Sequence, residues 1–156
     1  MPKPAQDSAG VAFPPPLMFL LAVIGGVILQ FMFPLPFLPW QWGMALGAIS
    51  LLAGVGLILS AALLFVRAGT ALPPWAAASA VVVQGPYRFT RNPMYLGMAC
   101  IHASIGLAFT SWWILLSLIP TLWWVNKRVI LKEEAYMAEK FGQPYKDYCA
   151  SVRRWL

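Results

Sequence analysis

The chain has 156 residues, 60% of them apolar and 10% charged, with a formal net charge of +6. Its length fits a single domain, and a mean hydropathy of +0.70 lies outside the range of soluble proteins. The basic residues are scattered between long apolar runs rather than gathered in a stripe, which argues against nucleic-acid binding.

No Asp, Glu, Lys or Arg occurs between Ser8 and Val66, nor between Asn92 and Asn126. Crossing a hydrocarbon core of roughly 30 Å takes about 20 helical residues. The first gap is therefore long enough for two passes, and the second for a tight two-pass hairpin. Leu17 to Phe33 is the first apolar run; Pro34, Pro36 and Pro39 end it, and Trp42 to Val66 is the next. Met94 to Phe109 and Trp112 to Leu131 flank a short Thr110-Ser111 turn. The expected fold is an all-α membrane protein of about four transmembrane helices, with a loop and a C-terminal amphipathic helix on one face. The later helices are short enough to call for tilt or local bilayer thinning. The first helix is expected to be retained: a single Lys offset by Asp7 precedes it, and prolines and aromatics follow it instead of an Ala-x-Ala site.

Four passes put both termini and the central loop on one face. Lys3, Arg67, Arg88, Arg91, Lys127, Arg128 and all later basic residues then lie together, while the opposite loops around Pro36 and Ser111 have no Lys or Arg. Positive charge marks the cytoplasmic side, so a multi-pass protein with its termini inside, as in a bacterial inner membrane, is expected. The net positive charge then suits anionic lipid headgroups. The whole chain, 1–156, is expected to form one membrane domain, with two packing helices in 1–66 and a functional part in 67–156.

In the second helix, Gly43 and Gly47 have small-xxx-small spacing, and Gly54 and Gly56 follow, a pattern of close helix packing. Gln30 and Ser60 are isolated polar groups that neighbouring helices can satisfy. His102, alone in the third helix and without an acidic partner in the apolar gaps, is expected to be a neutral, hydrogen-bonded packing residue. Cys100 in a helix and Cys149 in the tail lie in settings too different for a disulfide.

Residues 67–91 are too long for a tight turn and contain Gly69, Pro73, Pro74, Gly85 and Pro86. Loops of this length are uncommon unless functional or disordered, and the apolar Ala76 to Val83 run argues against disorder. The loop is expected to lie on the membrane surface or to fold over something. After Asn126, the last helix runs out of the membrane through Lys132, Glu133 and Glu134. Phe141, Tyr145, Tyr148, Val152 and Trp155 then recur at offsets of 4, 3, 4 and 3, one apolar helical face. Gly142 and Pro144 separate it from the helix before. It is expected to lie in the interface, with closure of a site from the cytoplasmic side as the alternative.

Two clusters carry possible chemistry: Gly85-Pro86-Tyr87-Arg88 through Arg91-Asn92-Pro93-Met94-Tyr95, and Glu133-Glu134. In a hairpin turning at Ser111, Tyr95 is 16 residues before the turn and Lys127 is 16 after it. The loop cluster and the start of the tail should meet at the membrane surface. Carboxylates accept hydrogen bonds from ribose hydroxyls, aromatic faces suit a sulfonium, and Arg suits a carboxylate or phosphate. A zwitterionic nucleoside such as S-adenosylmethionine asks for that mixture. There is no nucleophile elbow, Gly-rich phosphate loop or Rossmann signature, and no metal-ligand spacing. From chemistry alone, the same Arg and Glu also fit snorkelling or orienting residues at a membrane boundary.

The series Gly85-Pro86-Tyr87-Arg88-x-x-Arg91-Asn92-Pro93-Met94-Tyr95-Leu96-Gly97, then Glu133-Glu134, then Phe141-Gly142-x-x-Tyr145-x-x-Tyr148, resembles the isoprenylcysteine carboxyl methyltransferase-like family and its phospholipid methyltransferase relatives. The resemblance covers roughly residues 66–156, and its three motifs agree in order and spacing. It implies an S-adenosylmethionine-dependent methyltransferase that releases S-adenosylhomocysteine and acts on a lipophilic acceptor: a carboxylate, a thiol or a lipid headgroup. It points to Tyr87, Asn92, Pro93, Met94 and Tyr95 as cofactor contacts, with Gly97 closing the motif. It also points to Glu133 with Glu134 at the ribose, and to the backbone at Val82 and Val83. Arg91 and Asn92 would serve catalysis, and Arg128 is nearest the basic residue implicated in substrate handling.

Where the family usually has His, this chain has Asn92, which can donate and accept hydrogen bonds but does not titrate near pH 7. An acceptor that is already anionic needs no base, so Asn92 favours an anionic or self-deprotonating acceptor. Two other readings stay open: an NADPH-dependent, steroid-reductase-like oxidoreductase, and a non-catalytic membrane scaffold. A dinucleotide carrying several phosphates would want more Arg or Lys than Arg67, Arg88 and Arg91 supply.

Overall fold

The computed structural model describes residues 7–11 and 13–156. Lys3, counted above among the basic residues of one face, lies outside them. Four apolar helices form the body: α1 (Pro15–Met32), α2 (Trp40–Arg67), α3 (Pro93–Ala108) and α4 (Trp112–Val125). A single π turn, Asn126–Ile130, carries α4 without a break into α5 (Leu131–Phe141), and α6 (Gln143–Ser151) follows. A 3₁₀ turn, Gly85–Arg88, interrupts the long loop before α3. No strand occurs among the described residues.

Proline sets several helix starts. Pro15 and Pro16 open α1, Pro93 opens α3, and Pro144 sits in the first turn of α6, positions where a missing N–H costs nothing. Ser111 caps α4 by accepting from Ile114 N. Gly142 ends α5 at φ 61°, a conformation that glycine adopts readily and other residues rarely.

α1, α2 and the helix Trp112–Phe141 are long and apolar enough to cross a membrane, and α3 is a shorter apolar helix. Their outward faces are greasy: Leu52 is 73% exposed and Ile119 66%. Exposed apolar surface on that scale belongs in lipid, so the chain is an all-α membrane protein.

The bundle is stitched at its uncharged end. Gln30 Oε1 accepts from Leu35 N and Ser111 Oγ, Phe37 N donates to Thr110 O, and Trp113 Nε1 donates to Phe33 O. The loop around Pro36 and the Ser111 turn thus lie together, as their shared lack of charge implied. α2 packs on α3, α1 packs on α4 and α3, and α3 packs on α4.

The α2–α3 contact depends on small residues. A Cβ on Gly97 would lie 2.8 Å from Gly54 O, and one on Gly47 would lie 2.8 Å from Ser104 O. Gly43 approaches Leu107 and Thr110 in the same way. Gly56 departs from the pattern: nothing lies within 4 Å of its Cβ position, because it faces outward from the bundle. Ser60 bonds its own helix at Leu57 O. His102 is 1% exposed, and its Nε2 lies 2.8 Å from Ile114 O and 3.1 Å from Ser117 Oγ. A carbonyl only accepts, so Nε2 carries the proton.

The tail departs from its sequence pattern. The periodicity from Phe141 runs on to Trp155, yet α6 ends at Ser151 and Val152 is extended. The carbonyls of Arg153 and Arg154 are taken by donors from the loop before α3, so the chain leaves the helical path there.

Candidate functional site

At the charged end, the 70–82 loop, the start of α1, the end of α2, the start of α3, and α5 and α6 enclose a cavity of about 360 Å³. That falls within the usual size of small-molecule sites. Apolar groups make most of the wall: Pro73, Pro74 and Trp75 from the loop, Pro15 and Pro16 from α1, Phe65 from α2 and Met98 from α3. Tyr87, Tyr95, Tyr136, Tyr145 and Tyr148 bring aromatic faces, and Arg91, Glu133 and Glu134 bring charge.

Tyr95 Oη donates to Glu133 Oε1 at 2.8 Å. The sequence count set Tyr95 level with Lys127, but its partner is six residues further along, about 9 Å at 1.5 Å per residue. Helical side chains lean toward their own N-terminus. Tyr95 therefore leans out toward the charged end and Glu133 leans back toward the membrane, which closes the difference.

Glu134 faces two cations. Arg154 Nε and Nη2 reach its two oxygens at 3.0 and 2.6 Å, and Arg91 Nη2 lies 3.1 Å from Oε1. The hydrogen bonds to Glu134 hold Arg154 above its ordinary range. Arg91 Nε is buried with no hydrogen-bond partner among the described residues. Glu134 is thus committed to the protein, while Glu133 accepts a single bond, from a phenol, among the described residues.

Burial lifts Tyr87 and Tyr145 well above the ordinary phenol range. It pushes Tyr148 up to about 12, against the downward pull of Arg91. Tyr148 Oη donates to Tyr87 O at 2.8 Å and ties α6 to the 3₁₀ turn. Tyr136 Oη accepts from Ala78 N at 3.1 Å and donates to Asp7 Oδ1 at 2.7 Å. It joins the loop, α5 and the segment before α1. Lys140 also bonds Asp7 and lowers the range over which that carboxyl titrates.

The profile of the phospholipid methyltransferase family matches residues 42–144. The chain belongs to that family. An uncharacterised protein of Haemophilus influenzae is 38% identical over 69 residues, which make up 40% of this chain and all of that protein. No solved structure matches the chain. Membership of the phospholipid methyltransferase family makes this a methyltransferase by descent, and the match takes in both clusters of the cavity.

The structure brings Val82, Tyr87, Arg91, Asn92, Pro93, Met94, Tyr95, Glu133 and Glu134 to one cavity. Val83 is 44% exposed and does not line it. Gly97 also lies off the cavity, against Gly54 and Ile58 of α2, where its lack of a side chain sets the helix spacing. Arg128 is exposed and not part of the wall. Asn92 is 8% exposed, and its side-chain N–H donates to Arg154 O at 2.9 Å.

Tyr136 and Met137 were not singled out from the sequence. They stand three and four residues after Glu133, on the same helical face, so the spacing alone could have found them. Arg154 and Trp75 carry no comparable signal, since chain folding rather than periodicity brings them in, whereas Pro73 and Pro74 belong to the long loop that was expected to fold over something.

Proposed function

We propose that the chain transfers a methyl group from S-adenosylmethionine to a lipophilic acceptor held in the bilayer. The observation that carries this proposal is the pairing of Glu133, a half-buried carboxyl bonded to one phenol, with an Arg91 Nε that has no partner among the described residues, in one aromatic-walled cavity. The donor set fits the cofactor. Glu133 would accept from the ribose hydroxyls, and Arg91 Nε would donate to the methionyl carboxylate. The tyrosine faces would flank the sulfonium. The cofactor supplies an electrophilic methyl on sulfur and leaves as the neutral thioether S-adenosylhomocysteine.

The protein's part is binding, orientation and exclusion of water. Pro93, Met94 and Val82 form apolar wall around the polar groups. No titratable base stands at Asn92, so the acceptor is an anion or sheds its own proton: a carboxylate, a thiol or a lipid headgroup. The cavity reaches apolar groups of α1, α2 and α3, and the acceptor approaches from the bilayer side. Arg128, exposed near the end of the last apolar segment, is kept for headgroup contact. Four passes with both termini and the site in the cytoplasm, as in a bacterial inner membrane, agree with the basic residues gathered at that end.

A dinucleotide reading is weaker, because Arg67 and Arg88 are exposed and Arg91 alone of the three lines the cavity. Calorimetry of the purified chain with S-adenosylmethionine, S-adenosylhomocysteine and NADPH tests this. Binding of the first two is expected; binding of NADPH alone would overturn the proposal, and silence from all three would favour a scaffold.

A further inference from the structure

After α6 the chain runs as a short non-helical strap, from Val152 to Trp155, against the loop that leads into α3. Arg91 N donates to Arg153 O at 2.9 Å. Thr90 Oγ1 and Asn92 Nδ2 both donate to Arg154 O, at 3.1 and 2.9 Å. Asn92 N donates to Thr90 Oγ1 at 3.2 Å, so these donors brace one another. On its other side, the strap sends the Arg154 guanidinium to Glu134 on α5. Trp155 packs against the core formed by Tyr95, Val125 and Val129.

The strap therefore ties the Thr90–Asn92 loop to α5, and Arg91 and Glu134 are the charged groups on either side of that tie. Thr90 is 2% exposed and Asn92 8%, so water competes little for these bonds. An amide at position 92 spends a donor on a backbone carbonyl. That is a structural use of the side chain, distinct from contact with a ligand.

We propose that Asn92 is a positioning residue: its amide holds the 152–155 strap, and through the strap it fixes Arg91 and Glu134 against the cavity. The effect on ligand affinity rests on the proposed function; the hold on the strap does not.

Hydrogen exchange on the full-length chain in lipid nanodiscs, without ligand, tests the hold. Asn92→Asp keeps the size and removes the donor, setting a carboxylate against the Arg154 carbonyl. Losing a buried hydrogen bond and adding that repulsion should speed exchange at the Arg91 amide by about 5- to 30-fold. Asn92→His, whose ring N–H can donate, should stay within about twofold of the parent. Should Asn92→Asp fail to fold, Thr90→Val removes the other donor to Arg154 O and should give about fivefold. Titration with S-adenosylhomocysteine should weaken about tenfold in Asn92→Asp and recover in Asn92→His.

Unchanged exchange at Arg91 in Asn92→Asp or Thr90→Val would overturn the hold. Faster exchange with unaltered ligand affinity would overturn the positioning role. A parent chain that does not bind S-adenosylhomocysteine would overturn the proposed function, while the exchange comparison would still decide the strap.

Discussion

The phenol of Tyr95 on α3 and the carboxylate of Glu133 on α5 meet at 2.8 Å, across 38 residues of sequence. Each belongs to a different motif, and their bond joins the helix that enters the apolar body to the helix that leaves it.

Desolvation lifts the Glu133 carboxyl to about 7, against the pull of the Tyr95 hydrogen bond, so above that pH Glu133→Gln removes a charge and keeps the shape. Hydrogen bonds to charged groups contribute about 1.5–3 kcal/mol. Affinity for S-adenosylhomocysteine should fall by one to two orders of magnitude in calorimetry, with little change in thermal midpoint. Tyr95→Phe removes only the donor to that acid and should cost several-fold at most. Equal affinity in parent and Glu133→Gln would take Glu133 out of the site.

The glycines of the α2–α3 contact predict a contrast. Gly97→Ala puts a methyl 2.6 Å from Ile58 Cγ1 and 2.8 Å from Gly54 O. Overpacking of this kind costs about 1–3 kcal/mol. Gly56→Ala meets nothing within 4 Å, and should be neutral or stabilising by up to about 1 kcal/mol. Thermal unfolding in detergent reads both, and a destabilised Gly56→Ala would contradict the outward placement of that residue.

Glu134→Ala leaves Arg91 and Arg154 facing each other without their shared anion. The carboxylate side chain is 16% exposed and those of the arginines 13% and 35%. Removing one partner of a fully buried pair costs about 3–5 kcal/mol; with this much solvent, about 2 kcal/mol is expected. Glu134→Gln should recover part of it, and chemical denaturation would measure both.

Tyr148 sets an alkaline limit. Its ordinary value is 10.0, and burial raises it to about 12 in the folded chain. A raised folded value contributes stability that is complete below the unfolded value and lost as pH rises through the folded one. Stability should therefore decline between about pH 10 and 12, together with the rise of the tyrosinate absorbance band. Tyr148→Phe should make that decline shallower by about one proton's share, the remainder belonging to Tyr87 and Tyr145, which burial raises further. A slope identical to the parent's would take Tyr148 out of the loss.

The apolar helices were legible because spans leave a strong trace: charge-free gaps and the Pro34–Pro39 breaks bound α1 and α2 to within two residues. The meeting of the loop and tail clusters was legible from a simple hairpin count. Its register was not, because the lean of Tyr95 and Glu133 along their helices has no counterpart in residue spacing. Gly97 reads as part of a motif but serves the α2 contact, since sequence does not say which helix face it occupies. The strap was hidden by Val152 and Trp155 continuing an apolar periodicity. A helical pattern does not reveal that loop donors compete for the backbone carbonyls beneath it.

The backbone contact between Gly54 and Gly97 has a mechanical consequence. With α2 and α3 touching main chain to main chain, that side of the chamber is a stiff rail with little room to give. The opposite side is built differently: the Pro15–Pro16 end of α1 follows a segment tethered to α5 by the exposed Asp7–Lys140 pair. Only that cavity end of α1 is held by an exposed ion pair; deeper in the bundle Gly26 sets α1 against the Ile114 backbone of α4 as closely as Gly54 meets Gly97.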